Sequence, residues 1–582
     1  MASTLILLTI GLPWFGALLV WLTGDKNQRL QNILAVMFSA AGGLAALGLI
    51  TQAGTDTALT FSIGGVFGNF TFIADGLGVF LSAVATVIGS LAVIFSIDYM
   101  KGEAQTSRYY ALVLFFIGAM AGLVLTSNLL LIFVFWEITA LCSFALISFH
   151  NDDPRAVAGG IKALIITQIG GVGLLVGALL IYSSIGSYDS RDFLNSYQQI
   201  PANLLSLTAF GFLIAAAAKS AQFPFQTWLP DAMEAPTPIS ALIHAATMVN
   251  AGVYLLARFY PAFEAVPGWR LAVMITGVVT ALMAAFMALV AYDLKRVLAY
   301  STVSQLGYMV YAVGAGGIYA SQFHLLSHSV FKALLFLGAG AIIHSVGTRD
   351  MRLMGGLGKK MPFVRNVFII GSLALAGLPI FNGFWSKELI LEAGLEHGGM
   401  VLYLVMLFGA GLTALYTFRC VWMVFFGETR SDLHVHKTGT AMKTALIPLA
   451  FGTLMTWLLA GPFGRLLAES LPFHEIHMNS TVMMVEEVVT APATLIALVV
   501  IALGLAAWWK RDALQPVVRV FSGFNKAAVN SFGFEDINQF IVQMTTNFAE
   551  WLRNGQTGRL NWNILGIIGG LAVVLIILVV GA

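Results

Sequence analysis

A chain of 582 residues that is 58% hydrophobic and only 10% charged falls outside the soluble globular class, in which about 25% of residues are charged. A formal net charge of +2, with no basic run, points away from nucleic acid. Cys142 and Cys420 both lie within apolar segments, so neither a disulfide framework nor a metal site is expected of them.

Apolar windows of spanning length recur with short gaps along the whole chain. They predict about sixteen helices, over 3–23, 30–51, 73–98, 109–127, 129–149, 161–184, 203–223, 236–258, 268–291, 296–316, 321–345, 363–382, 398–426, 442–468, 487–509 and 562–581. The expected class is therefore an all-α polytopic membrane protein. The first window, STLILLTIGLPWFGALLVWL, has no basic residue before it and no small-residue cleavage site, and it reads as a retained helix. Lys26 and Arg29, Lys101 and Arg108, Arg155, Lys295 and Arg296, Arg349 to Lys360, and Arg430 with Lys437 fall in alternate gaps. The gaps between them are poor: 52–72 and 470–486 contain no Lys or Arg. Positive charge is retained inside, so the N-terminus is expected outside, in a bacterial or archaeal plasma (inner) membrane.

The segment 510–561 begins KRDALQPVVRVF and continues into NQFIVQMTTNFAEWL. There Ile537, Phe540, Ile541, Met544, Phe548, Trp551 and Leu552 recur at a spacing of three and four, which predicts an amphipathic helix along a surface. Interruptions are expected at Gly523 and Gly533. An ordinary interfacial helix and a lateral brace gripping neighbouring helices or a partner both fit that pattern.

Four sets of ionisable residues lie inside apolar windows, where charge is costly and marks a functional path or a structural pair. Glu137 sits in LLLIFVFWEITALCSFALI, Lys219 in AAAAKSAQFPF and His244 in ISALIHAATMVNAGVYLL. In SQFHLLSHSVFKALLFLGAG, His324, His328 and Lys332 fall at i, i+4 and i+8, which places all three on one helix face about 6 Å apart per step. A further pair, Lys387 and Glu388, follows the helix breaker in LAGLPIFNGFWSKELILE. Glu137 and Lys219 also fit a structural ion pair, and His244 fits a simple donor to backbone. The ladder is harder to explain as packing, because one partnered polar residue would suffice. Burial and a partner charge act on proton affinity in opposite senses, and so the ladder reads as a proton path. No carboxylate or thiol stands at ligand spacing from the histidine pair, so no metal is expected.

Two interruptions match. Pro224 follows Lys219, and Pro379 with Gly383 precedes Lys387; each has an aromatic-rich turn and an acid nearby. Unwound backbone at membrane depth is tolerated where it lines a cavity. The pattern suggests two repeated halves, 109–258 and 268–426. They would be preceded by helices in 1–108 and followed by helices in 427–509, the amphipathic segment 510–561 and a last span in 562–582.

The stretches FVFWEITALCSFALI, AAKSAQFPFQTWLPDAMEAPTPISALIHAATMVNAGVYLLAR, LKRVLAYSTVSQLGYM, HLLSHSVFKALLFLGAGAI and GLPIFNGFWSKELIL resemble the antiporter-like subunits of two assemblies. These are the L (fifth) subunit of respiratory complex I and the A subunit of Mrp-type Na⁺/H⁺ antiporters. The resemblance covers nearly the whole chain. It implies two inverted five-helix repeats with broken helices, a C-terminal lateral helix, and proton or cation translocation through half-channels joined by a polar axis. Carried over, Glu137 and Lys219 match the ion pair of the first half-channel and His244 the link toward the centre. His324, His328 and Lys332 match the central relay, and Lys387 with Glu388 the exit.

The resemblance has departures. Gln168 and Gly171 stand where the L subunit usually carries an Arg and an Asp, and Asn250 stands where the Mrp A subunit usually carries a Lys. The lateral segment is short for the L type, and only one span is expected after it, without the extra C-terminal domain of the A type. With no cysteine cluster, glycine-rich phosphate loop or quinone motif, the chain is expected to hold no cofactor. Expected partners are other membrane subunits, the bilayer and protons, with Na⁺ open. Three functions remain: a pumping subunit of an NADH-quinone oxidoreductase-type complex, a subunit of a secondary antiporter without redox coupling, or a scaffold whose charges are only ion pairs.

Overall fold

The computed structural model describes residues 1–54, 58–63, 68–431, 434–470, 480–513 and 522–555. Thirteen helices among them are long and apolar enough to span a membrane. In chain order the first six are α1 (Ala2–Thr23), α2 (Gln28–Ile50), α3 (Gly76–Tyr99), α4 (Thr106–Leu125), α5 (Leu129–Ile147) and α6 (Pro154–Ile185). There follow α7 (Ala202–Lys219), α8 (Thr237–Phe263), α9 (Trp269–Val290), α10 (Leu294–Ala315) and α11 (Ile318–Val346). The second broken span is built from α12 (Pro362–Ala376) and α13 (Asn382–His397). The remainder are α14 (Met400–Phe425), α15 (Thr440–Ala468), the short α16 (Thr481–Thr490), α17 (Pro492–Trp509), α18 (Ser522–Val529) and α19 (Phe534–Gly555). The protein is an all-α polytopic membrane protein. The last expected span, 562–581, lies outside the described residues.

Local chemistry sets many of the helix starts. Asn27, Asp75, Asn128, Asp153 and Asp293 each accept a backbone N–H from the first turn of α2, α3, α5, α6 and α10, the usual side-chain satisfaction of an otherwise orphaned donor. Pro154 at the first position extends α6 seven residues before the apolar window. The loop expected over 52–72 instead contains an antiparallel hairpin, Ala58–Ser62 paired with Asn69–Ile73. Its alternation of Leu, Phe and Thr is too short to register as a periodic signal.

The centre is formed by α3, α8 and α11, with α8 wholly enclosed, while α1 and α17 lie at the rim. Close approach is made possible by glycines: a Cβ at Gly173 of α6 would strike the backbone of Gly211 in α7, and one at Gly277 of α9 the backbone of Gly307 in α10. Small residues play this part where helices pack without a hydrophobic drive from water. Helix α8 is not uniform. Leu242–Ala246 forms a π-helical turn, and side chains occupy the displaced carbonyls: Thr247 Oγ1 donates to Leu242 and Asn250 Nδ2 to Ala245 at 2.8 and 2.9 Å. Near the other end of α8, Arg258 forms a buried ion pair with Asp75, the N-cap of α3.

Gly533, with φ +81°, separates α18 from α19, whereas Gly523 lies within the first turn of α18 and interrupts nothing. The amphipathic helix grips the bundle through its polar side. Glu535 pairs with Lys162 of α6 at 2.6 Å, and Asn538 donates to Thr227 Oγ1 at 2.8 Å. The Phe534 ring meets Phe223 edge-on at 5.1 Å. Ile537, Phe540, Met544, Phe548 and Trp551 point away and are exposed.

Candidate functional site

All eight ionisable residues singled out in the sequence sit inside the helical bundle. Seven are buried, and Glu137 is half-buried. Helix α7 ends at Lys219 itself, five residues before Pro224. Its Nζ donates to the main-chain carbonyl of Trp136 at 2.7 Å and lies over that indole, 5.0 Å from the ring centroid. Lys219 and Glu137 are electrostatic neighbours but form no ion pair within 4.0 Å. The Glu137 carboxylate faces α6 instead, where a Cβ at Gly171 would collide with Oε1, and both of its oxygens are buried without a hydrogen-bond partner among the described residues. Gly171 is thus the space that the acid occupies.

A polar bridge leads from this pair to the centre. Ser220, next to Lys219, donates to the carbonyl of Val249 at 2.6 Å. The adjacent Asn250 reaches Ser329 Oγ at 3.4 Å, beside His328 on α11. His244, in the π-helical turn, packs its ring on Phe336 with centroids 4.7 Å apart. Both ring nitrogens of His244 and both of His328 are buried without a hydrogen-bond partner among the described residues. An unmet buried polar atom costs about 1–3 kcal/mol, and such groups are ordinarily satisfied by water.

On α11, the rings of His324 and His328 are 6.3 Å apart, as the i, i+4 spacing requires. His324 is held at both ends, with Nδ1 2.9 Å from Ser386 Oγ and Nε2 3.1 Å from Gln305 Oε1. Lys332 Nζ donates to Ser301 Oγ at 2.7 Å. Ser386 precedes Lys387 on α13, and so the hydrogen bond from His324 ties the ladder to the second break. There α12 ends on Gly377 with φ +81°, a conformation that glycine adopts freely. Lys387 Nζ donates to the Leu375 carbonyl at 2.8 Å, and Thr494 of α17 lies near Glu388.

The structure brings His244, His324, His328, Lys332, Lys387 and Glu388 into one electrostatic neighbourhood. Glu137 and Lys219 form a second one, joined to the first through Ser220, Asn250 and Ser329. The connecting serines, Asn250, Gln305 and the Trp136 carbonyl were not assigned roles in the sequence. Uncharged polar residues are common in helical spans, and only packing reveals which of them touch. Nor does periodicity reveal the two tethers at the helix ends: the Asp75–Arg258 pair, and Lys295, whose buried Nζ donates to the Ala235 carbonyl at 2.6 Å. Cys142 and Cys420 are free and buried.

Broken helices, buried lysines on main-chain carbonyls and a histidine ladder between them define an antiporter-like membrane subunit. Residues 126–413 match the family described as NADH:quinone oxidoreductase/Mrp antiporter, transmembrane region, and residues 61–110 match the N-terminal region of complex I chain 5. Among curated relatives, the NADH-quinone oxidoreductase subunit L of Escherichia coli is 39% identical over 80% of this chain and 78% of its own length. The subunit L of Mycobacterium tuberculosis is 37% identical over 88% and 83%. The NAD(P)H-quinone oxidoreductase chain 5 of Picosynechococcus is 44% identical, but the match spans only 56% of its length.

Among solved structures, a chain of the Mrp complex from Dietzia superposes with a TM-score of 0.83 at 28% identity, over 99% of this chain and 63% of that one. A chain of the archaeal membrane-bound sulfane sulfur reductase superposes with a TM-score of 0.72 at 25% identity, over 83% and 99%. The chain belongs to the NADH:quinone oxidoreductase/Mrp antiporter membrane family.

Proposed function

We propose that this chain is a proton-translocating subunit of a multisubunit membrane complex, and that Glu137, Lys219, His244, His324, His328, Lys332, Lys387 and Glu388 carry the proton. The observation that bears most weight is the run of buried titratable groups from one broken span to the other, with orphaned histidine nitrogens along it. Relatives named as complex I subunits and a structural likeness to the Mrp complex support a place beside other membrane subunits.

The two halves, 109–258 and 268–426, would act as half-channels. The N-terminus would lie outside, in a plasma membrane. A proton gained by the ladder alters the charge at Lys332. Two unit charges about 6 Å apart interact by roughly 3 kcal/mol at an effective dielectric of about 20. That is enough to change occupancy by about two orders of magnitude. Lys219 and Glu137 respond by drawing together or apart, since neither is locked to the other. The driving force comes from partners: redox chemistry in an oxidoreductase, or an ion gradient in an antiporter. The fit to the Mrp chain over nearly all of this chain favours the second source as the alternative.

The test is proton movement in vesicles bearing the whole complex. Lys219→Ala and Glu137→Gln are expected to abolish it with assembly intact. Normal transport in both variants would leave only a scaffold. Subunits that copurify would separate the redox machine from the antiporter.

A further inference from the structure

Beyond Glu388, the α13 helix continues with acids at the same spacing. Glu388, Glu392 and Glu396 stand at i, i+4 and i+8, which places them on one stripe about 6 Å apart per step. Their exposure is graded: Glu388 is buried at 4%, Glu392 is half-buried, and the Glu396 side chain is 62% exposed. Helix α16 packs alongside α13 and brings Glu487 into electrostatic reach of Glu392. His397 lies 3.7 Å from Glu396 at the surface.

Two further polar groups lie near the buried end of this stripe. The indole N–H of Trp385, one helical turn before Glu388, and the hydroxyl of Tyr403 beside Glu388 are buried without a hydrogen-bond partner among the described residues. Buried donors of this kind are ordinarily met by water. The gap 398–399 and the start of α16, 480–486, contain no Lys or Arg, which fits the outer side of the membrane in the proposed orientation.

We infer that Glu392 and Glu396, with Glu487 opposite, form the lane by which protons leave Lys387 and Glu388 for the outer surface. The inference rests on the proposed proton transport and assigns residues to its final segment. Each transfer moves one proton from a carboxyl to the next carboxylate and leaves the donor ionised, so charge is conserved along the row. The row suits a passing proton better than a held cation: among the described residues no group of three or more His, Cys, Asp or Glu is gathered closely enough to grip a metal ion.

Vesicles bearing the complete complex test this with three variants. Glu392→Gln is expected to slow proton movement at least about a hundredfold, the low end of what a proton-transfer group contributes. Glu392→Asp should restore most of it, and Lys332→Ala should abolish it. Transport at the normal rate in Glu392→Gln, with loss in Lys332→Ala, would overturn the lane and leave the central relay standing. Normal transport in all three would remove the relay and the lane together. Loss of a ²²Na⁺ flux in Glu392→Gln with proton movement unchanged would also overturn it. Position 396 is checked independently by Glu396→Cys in whole cells: a membrane-impermeant maleimide applied outside should label it, and labelling only from the inner side would refute the outward opening.

Discussion

The two broken spans solve one problem in different ways. In each, a lysine at the break donates to a main-chain carbonyl, Lys219 to Trp136 and Lys387 to Leu375, at 2.7 and 2.8 Å. Either bond satisfies a carbonyl and holds a buried cation without spending it on a carboxylate. The acids differ. Glu137 belongs to another helix and does not touch Lys219, whereas Glu388 follows Lys387 directly on the same helix. The first pair can change its separation when helices shift; the second cannot.

The surroundings differ as well. The first break runs from Ser220 to Pro236 and is pinned by ions, with Asp231 held by Lys162 and Arg296 and Glu234 by Arg349. Helix α19 covers it. The second break occupies only 377–381, exposes Ile380 (68%) on the flank of the bundle, and leads into the helix that carries Glu388, Glu392 and Glu396. The two breaks are therefore unlike: one is covered and pinned by ion pairs, the other short and exposed.

Variants can break or sharpen that contrast. The largest effect is expected from Lys387→Ala, which removes the cation beside a fixed acid and leaves Glu388 buried without its neighbour. Proton movement in vesicles should fall by at least about a hundredfold. If instead it matches wild type while Lys219→Ala is dead, the second break takes no part in transport.

A smaller effect is expected from Gly171→Ala. It changes no charge, but its methyl takes the place of Glu137 Oε1 and must turn the acid aside. Transport should drop by about tenfold, because a misplaced group costs rate even when present. An unchanged rate would show that the position of Glu137 is not critical. The smallest effect is expected from Glu535→Gln, which loosens the cover of the first break. Lys162 keeps Asp231, and Glu535 is partly solvated, so the loss should be about 1 kcal/mol. The solubilised complex should melt about 2 °C lower, with transport per assembled complex unchanged.

Much of this was legible in the sequence because lipid leaves few options. The windows foretold α1 to α12, α14, α15 and α17, but no window covered α13, whose charged residues interrupt the apolar run, or the start of α16; both interruptions were visible as proline and glycine near a lysine. The eight ionisable residues stood out because charge in an apolar run demands a reason. Contacts between helices were not legible. That Lys219 would choose the Trp136 carbonyl over Glu137 depends on how α5 and α7 cross. That Asn250 would meet Ser329 depends on a π-helical turn that no periodicity announces. Glu535 carries no signal in the sequence, and only packing shows it holding Lys162.

That π-helical turn in α8 has a mechanical consequence. One surplus residue there sets the rotational phase of everything after it, since each residue advances a helix by about 100°. Excising one alanine from 245–246 would turn everything after it by about 100° and swing Arg258 off Asp75 and Asn250 off Ser329 together. The irregularity works as a spacer that lets a single rod serve two distant alignments at once.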